Sequence, residues 1–208
     1  MISIRGVRFA YRPGVNVLEV PHVDVGSGLT LLLGANGAGK TTLMRIAAGV
    51  ERPDAGTVSI GGLDLWIDEV RARRNLAYVP DHADLTPFAT VSETLTLVAR
   101  LRDQPSSAGA DALRTVGLES LGHRTVRELS HGQRRRAVLA AAMIGEPRAL
   151  LLDEPLEALD AAMRDSLLAF VGEALARGAT VLVSTHDVGP FEKLATGVLR
   201  LRDGRIVP

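Results

Sequence analysis

The 208-residue sequence predicts an α/β fold around a mostly parallel sheet, with an N-terminal antiparallel β lobe and a small helical insert. Three observations carry that expectation. A short apolar run, Leu29 to Leu33, breaks at Gly34 into a glycine-rich loop and resumes with helical spacing from Lys40, the order of a buried parallel strand feeding a helix. Further short apolar runs, Leu76 to Val79, Ala149 to Leu152 and Thr180 to Ser184, alternate with stretches of helix length. Between Thr90 and about Arg127 the pattern is helical throughout.

In chain order, Met1 to Val25 alternates apolar and polar residues in pieces broken by Arg12-Pro13-Gly14 and Pro21, which suits antiparallel edge strands. Lys40 to Val50 reads as a helix. Thr57 to Ile60, Gly61-Gly62 and Leu63 to Trp66 read as a hairpin. Thr90 and Glu93 form a T-x-x-E capping box, with Leu95, Val98, Ala99 and Leu101 behind it. A second helix is expected over Gly109 to Val116, after a loop at Gln104 to Ser107. Ser130 caps a third, running to Gly145 and stopped by Pro147. Ala161 to Arg177 supplies a fourth, and a hairpin of Val198 to Leu201 with Arg205 to Val207 turns at Asp203-Gly204.

Composition removes whole classes of chemistry. The absence of Cys excludes disulfides, thiolate metal sites and a cysteine nucleophile. Lys+Arg 24 against Asp+Glu 24 leaves no global positive field to attract nucleic acid or acidic lipid. The longest apolar run, Ala137 to Ile144, falls far short of a bilayer span, and the first residues lack the pattern of a signal peptide. Arg134-Arg135-Arg136 invites a nucleic-acid reading. Consecutive helical residues point about 100° apart, however, so the run is read as solvated face with some packing at the helix start.

Gly34-Ala35-Asn36-Gly37-Ala38-Gly39-Lys40-Thr41 matches G-x-x-x-x-G-K-[ST] in full and lies between strand and helix, as a phosphate-binding loop requires. The glycines let main-chain N–H groups turn onto phosphate at the positive end of the helix; Lys40 reaches the β and γ oxygens and the Thr41 hydroxyl can ligate Mg²⁺. Gly34, Asn36, Gly37, Ala38, Gly39, Lys40, Thr41 and Thr42 are the expected phosphate-binding set. Lys40 is one of only two lysines, the other being Lys193, in a chain that otherwise uses arginine. Leu150-Leu151-Leu152-Asp153-Glu154 is an apolar strand ending in two carboxylates at the carboxyl edge of the sheet. Asp153 is expected in the Mg²⁺ shell, and Glu154 as the base that polarises the attacking water.

About twenty residues before Asp153 stands Leu129-Ser130-His131-Gly132-Gln133, with Asp160 after the carboxylates and His186 after the next strand. That order resembles the ATP-binding cassette family, whose signature reads L-S-G-G-Q, and the likeness extends from Tyr11 to His186. It implies a phosphate-loop NTPase core in a single domain over 1–208, in which 1–89 and 128–208 form the nucleotide-binding core and β lobe and 90–127 the helical subdomain. By the same resemblance two cassettes pair head to tail, so that Ser130, Gly132 and Gln133 of one copy meet the γ-phosphate held by the other. Tyr11 is placed to stack on adenine, the other reading being a core tyrosine. His186 is placed to hold Glu154 and the water in line. Asp160 belongs to the loop that crosses the pair, and also reads as an ordinary helix cap.

Two positions depart from the family pattern. His131 replaces the first signature glycine; it crowds the site, points to solvent, or when protonated adds a positive charge that favours pairing at acid pH. Asp81, in Ala77-Tyr78-Val79-Pro80-Asp81, stands where the family has a glutamine that touches Mg²⁺ or its water. The stretch His82 to Pro87 is expected to help receive a helix from a membrane partner.

The resemblance implies an ATPase, using ATP and Mg²⁺, that powers a transporter through separate transmembrane subunits and a second copy of itself or a homologous cassette. Its expected location is cytoplasmic, on the inner face of the cell membrane through its partner, with no nucleic acid bound. Asn36, Ala38 and Thr41 to Thr42, with the short stretch after His186, favour export over import. The alternatives are a soluble cassette ATPase acting on translation or DNA, which co-purification with ribosomes or DNA would reveal, and a small-molecule kinase, which would need an added acceptor.

Overall fold

The computed structural model describes residues 1–12, 14–15, 17–82 and 85–208. Pro13 of the expected turn, and Ala83 and Asp84 of the expected partner-binding stretch, lie outside the described residues. The chain divides into two compact units, the first built from Met1–Pro80, Pro147–Pro155 and Gly172–Pro208 and the second from Asp81–Glu146 and Leu156–Val171.

The first unit holds two sheets. β1 (Ile2–Phe9) pairs antiparallel with β2 (Leu18–Val25) and with β4 (Ala55–Ile60), and β5 (Leu63–Asp64) completes the order β2-β1-β4-β5. Ile2, Ile4, Val7, Val20, Val23, Val58 and Ile60 are buried in one core cluster, while Arg5, Arg8, His22 and Asp24 stay outside; the alternation breaks near Gly6, where the register of β1 against β4 shifts. β5 stops at Asp64 rather than reaching Trp66. The Asp64 Oδ1 accepts hydrogen bonds from the N–H groups of Trp66 (2.8 Å) and Ile67 (3.0 Å), turning the chain where a strand was expected.

The second sheet has the order β10-β9-β3-β8-β7-β6, made of β3 (Gly28–Leu33), β6 (Leu76–Val79), β7 (Ala149–Asp153), β8 (Thr180–Ser184), β9 (Ala195–Arg202) and β10 (Arg205–Val207). All of its pairings are parallel except the closing β9–β10 hairpin. Every residue of β7 and β8 is buried, which is why both read as unbroken apolar runs.

α1 (Lys40–Ala47) follows β3 and packs Leu43, Met44, Ile46 and Ala47 into the core. It ends three residues before Val50, the expected limit. Gly49, at φ +72°, closes a Schellman motif in which Val50 N–H donates to Arg45 O (2.8 Å) and Gly49 N–H to Ile46 O (3.0 Å). α2 (Glu69–Arg74) was not foreseen: its six residues bury only Ala72 and carry no apolar stripe to announce it.

In the second unit α3 (Val91–Leu101) starts at the Thr90–Glu93 capping box, with Thr90 N–H donating to Glu93 Oε2 at 2.8 Å and Glu93 N–H to Thr90 Oγ1 at 3.1 Å. α4 (Ser107–Thr115) and α5 (His131–Met143) follow. The carboxyl end of α5 is finished by Arg102, whose Nη1 donates to the carbonyls of Ala141 (2.9 Å), Ala142 (3.2 Å) and Ile144 (2.7 Å). Burial lowers that guanidinium to about 10, which leaves it cationic at neutral pH, facing the negative end of the helix. α6 (Ala161–Ala176) begins in this unit.

Candidate nucleotide site

The glycine-rich loop joins β3 to α1 at the carboxyl edge of the parallel sheet. Gly37 and Gly39 have φ +80° and +101°, conformations that open to glycine and turn successive N–H groups to one side. Gly39 occupies the N-cap of α1 with no side-chain cap, so the first N–H groups of the helix are left to other acceptors. Lys40 Nζ donates to the carbonyls of Gly34 (2.8 Å) and Ala35 (3.2 Å), which holds the ammonium over the loop.

The loop is braced from behind by the β9–β10 hairpin. A Cβ on Gly34 would lie 2.3 Å from Leu201 O, so only glycine fits there. Gly204 N–H donates to Ala38 O at 3.0 Å, and Gly204 O accepts from Glu19 N–H at 2.9 Å. A cavity of about 440 Å³ opens beside the loop, lined by Gly34 to Ala38 and by Arg200 and Arg202.

Tyr11 is 56% exposed, which overturns the core-tyrosine reading. Its ring stands edge-on to Phe9 (4.8 Å between centroids), and its hydroxyl lies 3.2 Å from Thr42 Oγ1, so Tyr11 and the loop helix are brought together. Thr41 is exposed beside it.

At the end of β7, Asp153 is fully buried and Glu154 begins the turn at φ +45°, a left-handed conformation costly for a residue with a side chain. The turn is held on both sides. Glu154 N–H donates to Ser184 O (2.8 Å), and Glu154 Oε1 lies 2.9 Å from His186 Nδ1. His186 N–H reaches Glu154 Oε2 at 3.4 Å. The imidazole is 80% exposed and the carboxylate 16%, so the ring forms the outer wall of the pair.

In the second unit Ser130 caps α5: its Oγ accepts from Gln133 N–H (3.3 Å), and Gln133 Oε1 accepts from Ser130 N–H (2.9 Å). The N–H groups of Ser130 and Gln133 are thus each satisfied by the other residue's side-chain oxygen, while the cap provides no such oxygen for those of His131 and Gly132. Ser130 and His131 are both exposed. Asp160 Oδ1 accepts from Met163 N–H (2.9 Å), the helix-cap reading, while its Oδ2 pairs with Arg136. In the arginine run Arg134 and Arg136 are half-buried, and the packing expected at the helix start falls to Arg135. Arg135 is only 2% exposed, and its Nη1 donates to Asp81 O at 3.1 Å, tying Asp81 to the helix that carries Ser130. The Asp81 carboxylate lies 3.8 Å from the His82 ring. Arg135 and Arg136 escaped the sequence reading because nothing in a triple arginine says which guanidinium turns inward.

These residues fit a nucleoside triphosphate with a hard divalent cation. Unclaimed N–H groups at a helix start, an ammonium and an exposed hydroxyl suit phosphate, and the Thr41 hydroxyl with the Asp153 carboxylate is an all-oxygen donor set suited to Mg²⁺. No group of three or more acidic, His or Cys side chains that could enclose a metal occurs among the described residues.

A family model described as ABC transporter matches residues 23–157. The sulfate/thiosulfate import ATP-binding protein CysA of Caulobacter vibrioides is 39% identical, over 99% of this chain and 63% of its own length. Nod factor export ATP-binding protein I of Burkholderia orbicola is 36% identical, over 84% of this chain and 59% of its own length. The chain thus spans less than two thirds of the length of these relatives. A solved structure of an ATP-binding subunit of an ABC transporter superposes with a TM-score of 0.89 at 28% identity, over 99% of this chain and 88% of that one. With the strand, phosphate loop and helix in one sheet with Asp153 and Glu154, and a capped signature helix in the second unit, the chain belongs to the ABC transporter family and has the α/β fold of its ATPase domains.

Proposed function

We propose that this chain is the ATP-hydrolysing subunit of a membrane transporter, and that two copies, or one copy and a homologous cassette, clamp ATP between them. The observation that carries this is the Glu154–His186 pair, 2.9 Å apart, at the same sheet edge as the phosphate loop. Gly34, Asn36, Gly37, Ala38, Gly39, Lys40, Thr41 and Thr42 hold the phosphates and Tyr11 the adenine. Ser130, Gly132, Gln133 and Asp160 serve the nucleotide of the opposite copy. Thr41, Asp153 and Asp81 would hold Mg²⁺, which when bound neutralises phosphate charge. Glu154 takes a proton from water as its oxygen attacks the γ-phosphorus; the bond to the β-phosphate oxygen breaks, giving ADP and phosphate. His186 keeps that carboxylate turned toward the water.

In this reading the domain covers 1–208, with 90–127 as its helical subdomain. Among the described residues no helix is long and apolar enough to cross a membrane. In this reading the transmembrane subunits are separate chains, and the cassette sits on the cytoplasmic face beside them. Asn36, Ala38 and the Thr41–Thr42 pair favour export. Import is the second reading, favoured by the sulfate/thiosulfate import relative. Flux of labelled substrate into inside-out vesicles, compared with right-side-out ones, decides the direction.

The chemistry is tested by Glu154→Gln, which keeps the shape and removes the base. Turnover is expected to fall by roughly 10² to 10⁴ with ATP still bound. Unchanged turnover removes Glu154 from this role. Co-purification with ribosomes or DNA, in place of hydrophobic subunits, would overturn the transport assignment.

A further inference from the structure

Ser184 closes β8 fully buried, and its Oγ has no hydrogen-bond partner. Buried hydroxyls are nearly always bonded, so one left alone calls for a physical account. Its place in the sheet supplies one. β7 and β8 run parallel with Asp153 opposite Ser184 and Leu151 opposite Leu182. Opposed residues of neighbouring strands project from the same face, and residues two apart along a strand share it. Leu151 and Leu182 lie in one core cluster with Leu43 and Met44, so this is the face covered by α1. The Ser184 hydroxyl therefore stands beside the Asp153 carboxylate, at the sheet edge that carries the phosphate loop and on the side of the helix that carries Lys40 and Thr41.

The strand also holds an internal comparison. Thr180, 1% exposed, has an equally unpartnered Oγ1 on the same face. It lies at the opposite end of β8, across from Ala149 and Gly28, neither of them an acid. Burial and orphaning are shared by the two hydroxyls. Only Ser184 has Asp153 as its neighbour.

We propose that Ser184 is a positioning residue for the magnesium shell, its hydroxyl accepting a hydrogen bond from a water of the hydrated cation held by Asp153. This rests on the Mg²⁺–ATP reading above. Mg²⁺ sheds its waters reluctantly and is bound through few protein oxygens, so its affinity depends on the groups that receive its water protons. A hydroxyl beside the buried Asp153 carboxylate fixes one such water and, through it, the carboxylate. Loss of an outer-shell partner of this kind weakens metal binding about 10- to 100-fold.

The test is the affinity of the full chain for a fluorescent non-hydrolysable ATP analogue, titrated with free Mg²⁺ and repeated in excess chelator. Ser184→Thr and Ser184→Val form a pair of equal size, so packing effects cancel between them. We expect Ser184→Val and Ser184→Ala to raise the Mg²⁺ concentration for half-maximal binding about 10-fold or more, with chelator affinity unchanged. Ser184→Thr should stay near the parent, and Thr180→Val should match it. Equal Mg²⁺ titrations for Ser184→Thr and Ser184→Val, or an equal shift in Thr180→Val, overturn the proposal. If the parent shows no Mg²⁺-dependent binding, or Asp153→Asn leaves that dependence intact, the Mg²⁺–ATP reading itself falls. If Asp153→Asn removes the dependence while Ser184→Val and Ser184→Ala titrate like the parent, Ser184 alone loses its role.

Discussion

Glu154 allows the backbone at the reacting carboxylate to be tested separately from its chemistry. At φ +45° a residue with a Cβ meets the following carbonyl oxygen, at a cost of about 1–2 kcal/mol. Glycine escapes that cost but loses about 0.5–1 kcal/mol more backbone entropy on folding than alanine. Glu154→Ala and Glu154→Gly both delete the side chain and its contact with His186, so the difference between them isolates the backbone term. Glycine should be the more stable by about 0.5–1 kcal/mol, the reverse of its ranking in an ordinary strand or helix. In a chain of this length that amounts to about 1–4 °C in Tm. Thermal melts of the two variants, without nucleotide and in one buffer, read it directly. Glu154→Asn should fall between them, because asparagine tolerates this conformation better than alanine does. An alanine variant as stable as glycine, or more so, would refute the claim that the fold holds strain at this residue.

Ala158, exposed at φ +56°, makes the same argument with a single Cβ: Ala158→Gly should raise Tm, and no change would count against the strain. Arg102→Met keeps the aliphatic stem but leaves the three carbonyls at the end of α5 without their cation, and should cost about 1.5–3 kcal/mol in urea unfolding. Glu93 and Glu128 have carboxyls held below the usual range, the first by the Thr90 main-chain N–H and then its hydroxyl, the second by the Thr125 hydroxyl and then its main-chain N–H. Because the folded state depresses them, their contribution is present above the ordinary carboxylate pKa and is lost as pH falls through it toward the folded values. The Glu93→Gln, Glu128→Gln double variant should therefore lose less stability than the parent between neutral pH and pH 3, measured by urea midpoints.

Much of this was legible in one dimension because it is locally encoded. Val181 and Leu182 bury on both faces of a parallel sheet, so β8 appears as an unbroken apolar run, and Thr90 with Glu93 announces a helix start three residues wide. The phosphate loop is a local turn whose glycines are visible as letters. What stayed hidden depends on distant partners. Nothing around Arg135 says that it, and not Arg134, ends almost wholly buried against Asp81 O, and nothing around Asp160 names Arg136 as its mate. Ser184 reads as one more strand residue until the register sets it opposite Asp153. α2 and the Asp64 turn were missed for a different reason: the former is too short and polar to carry a period, and the latter turns on one side-chain oxygen.

Gly204 is clasped on two sides, its amide to Ala38 and its carbonyl to Glu19, and a Cβ there would come within 2.1 Å of Val17 O. One residue of the β9–β10 hairpin thus works as a hinge pin, fastening the cradle to the β lobe that bears Tyr11. Damage to that pin would imitate a nucleotide-binding defect while leaving every phosphate-facing atom chemically intact, so a loss-of-binding variant found near Asp203 would report on the mounting of the cradle, not on its contacts.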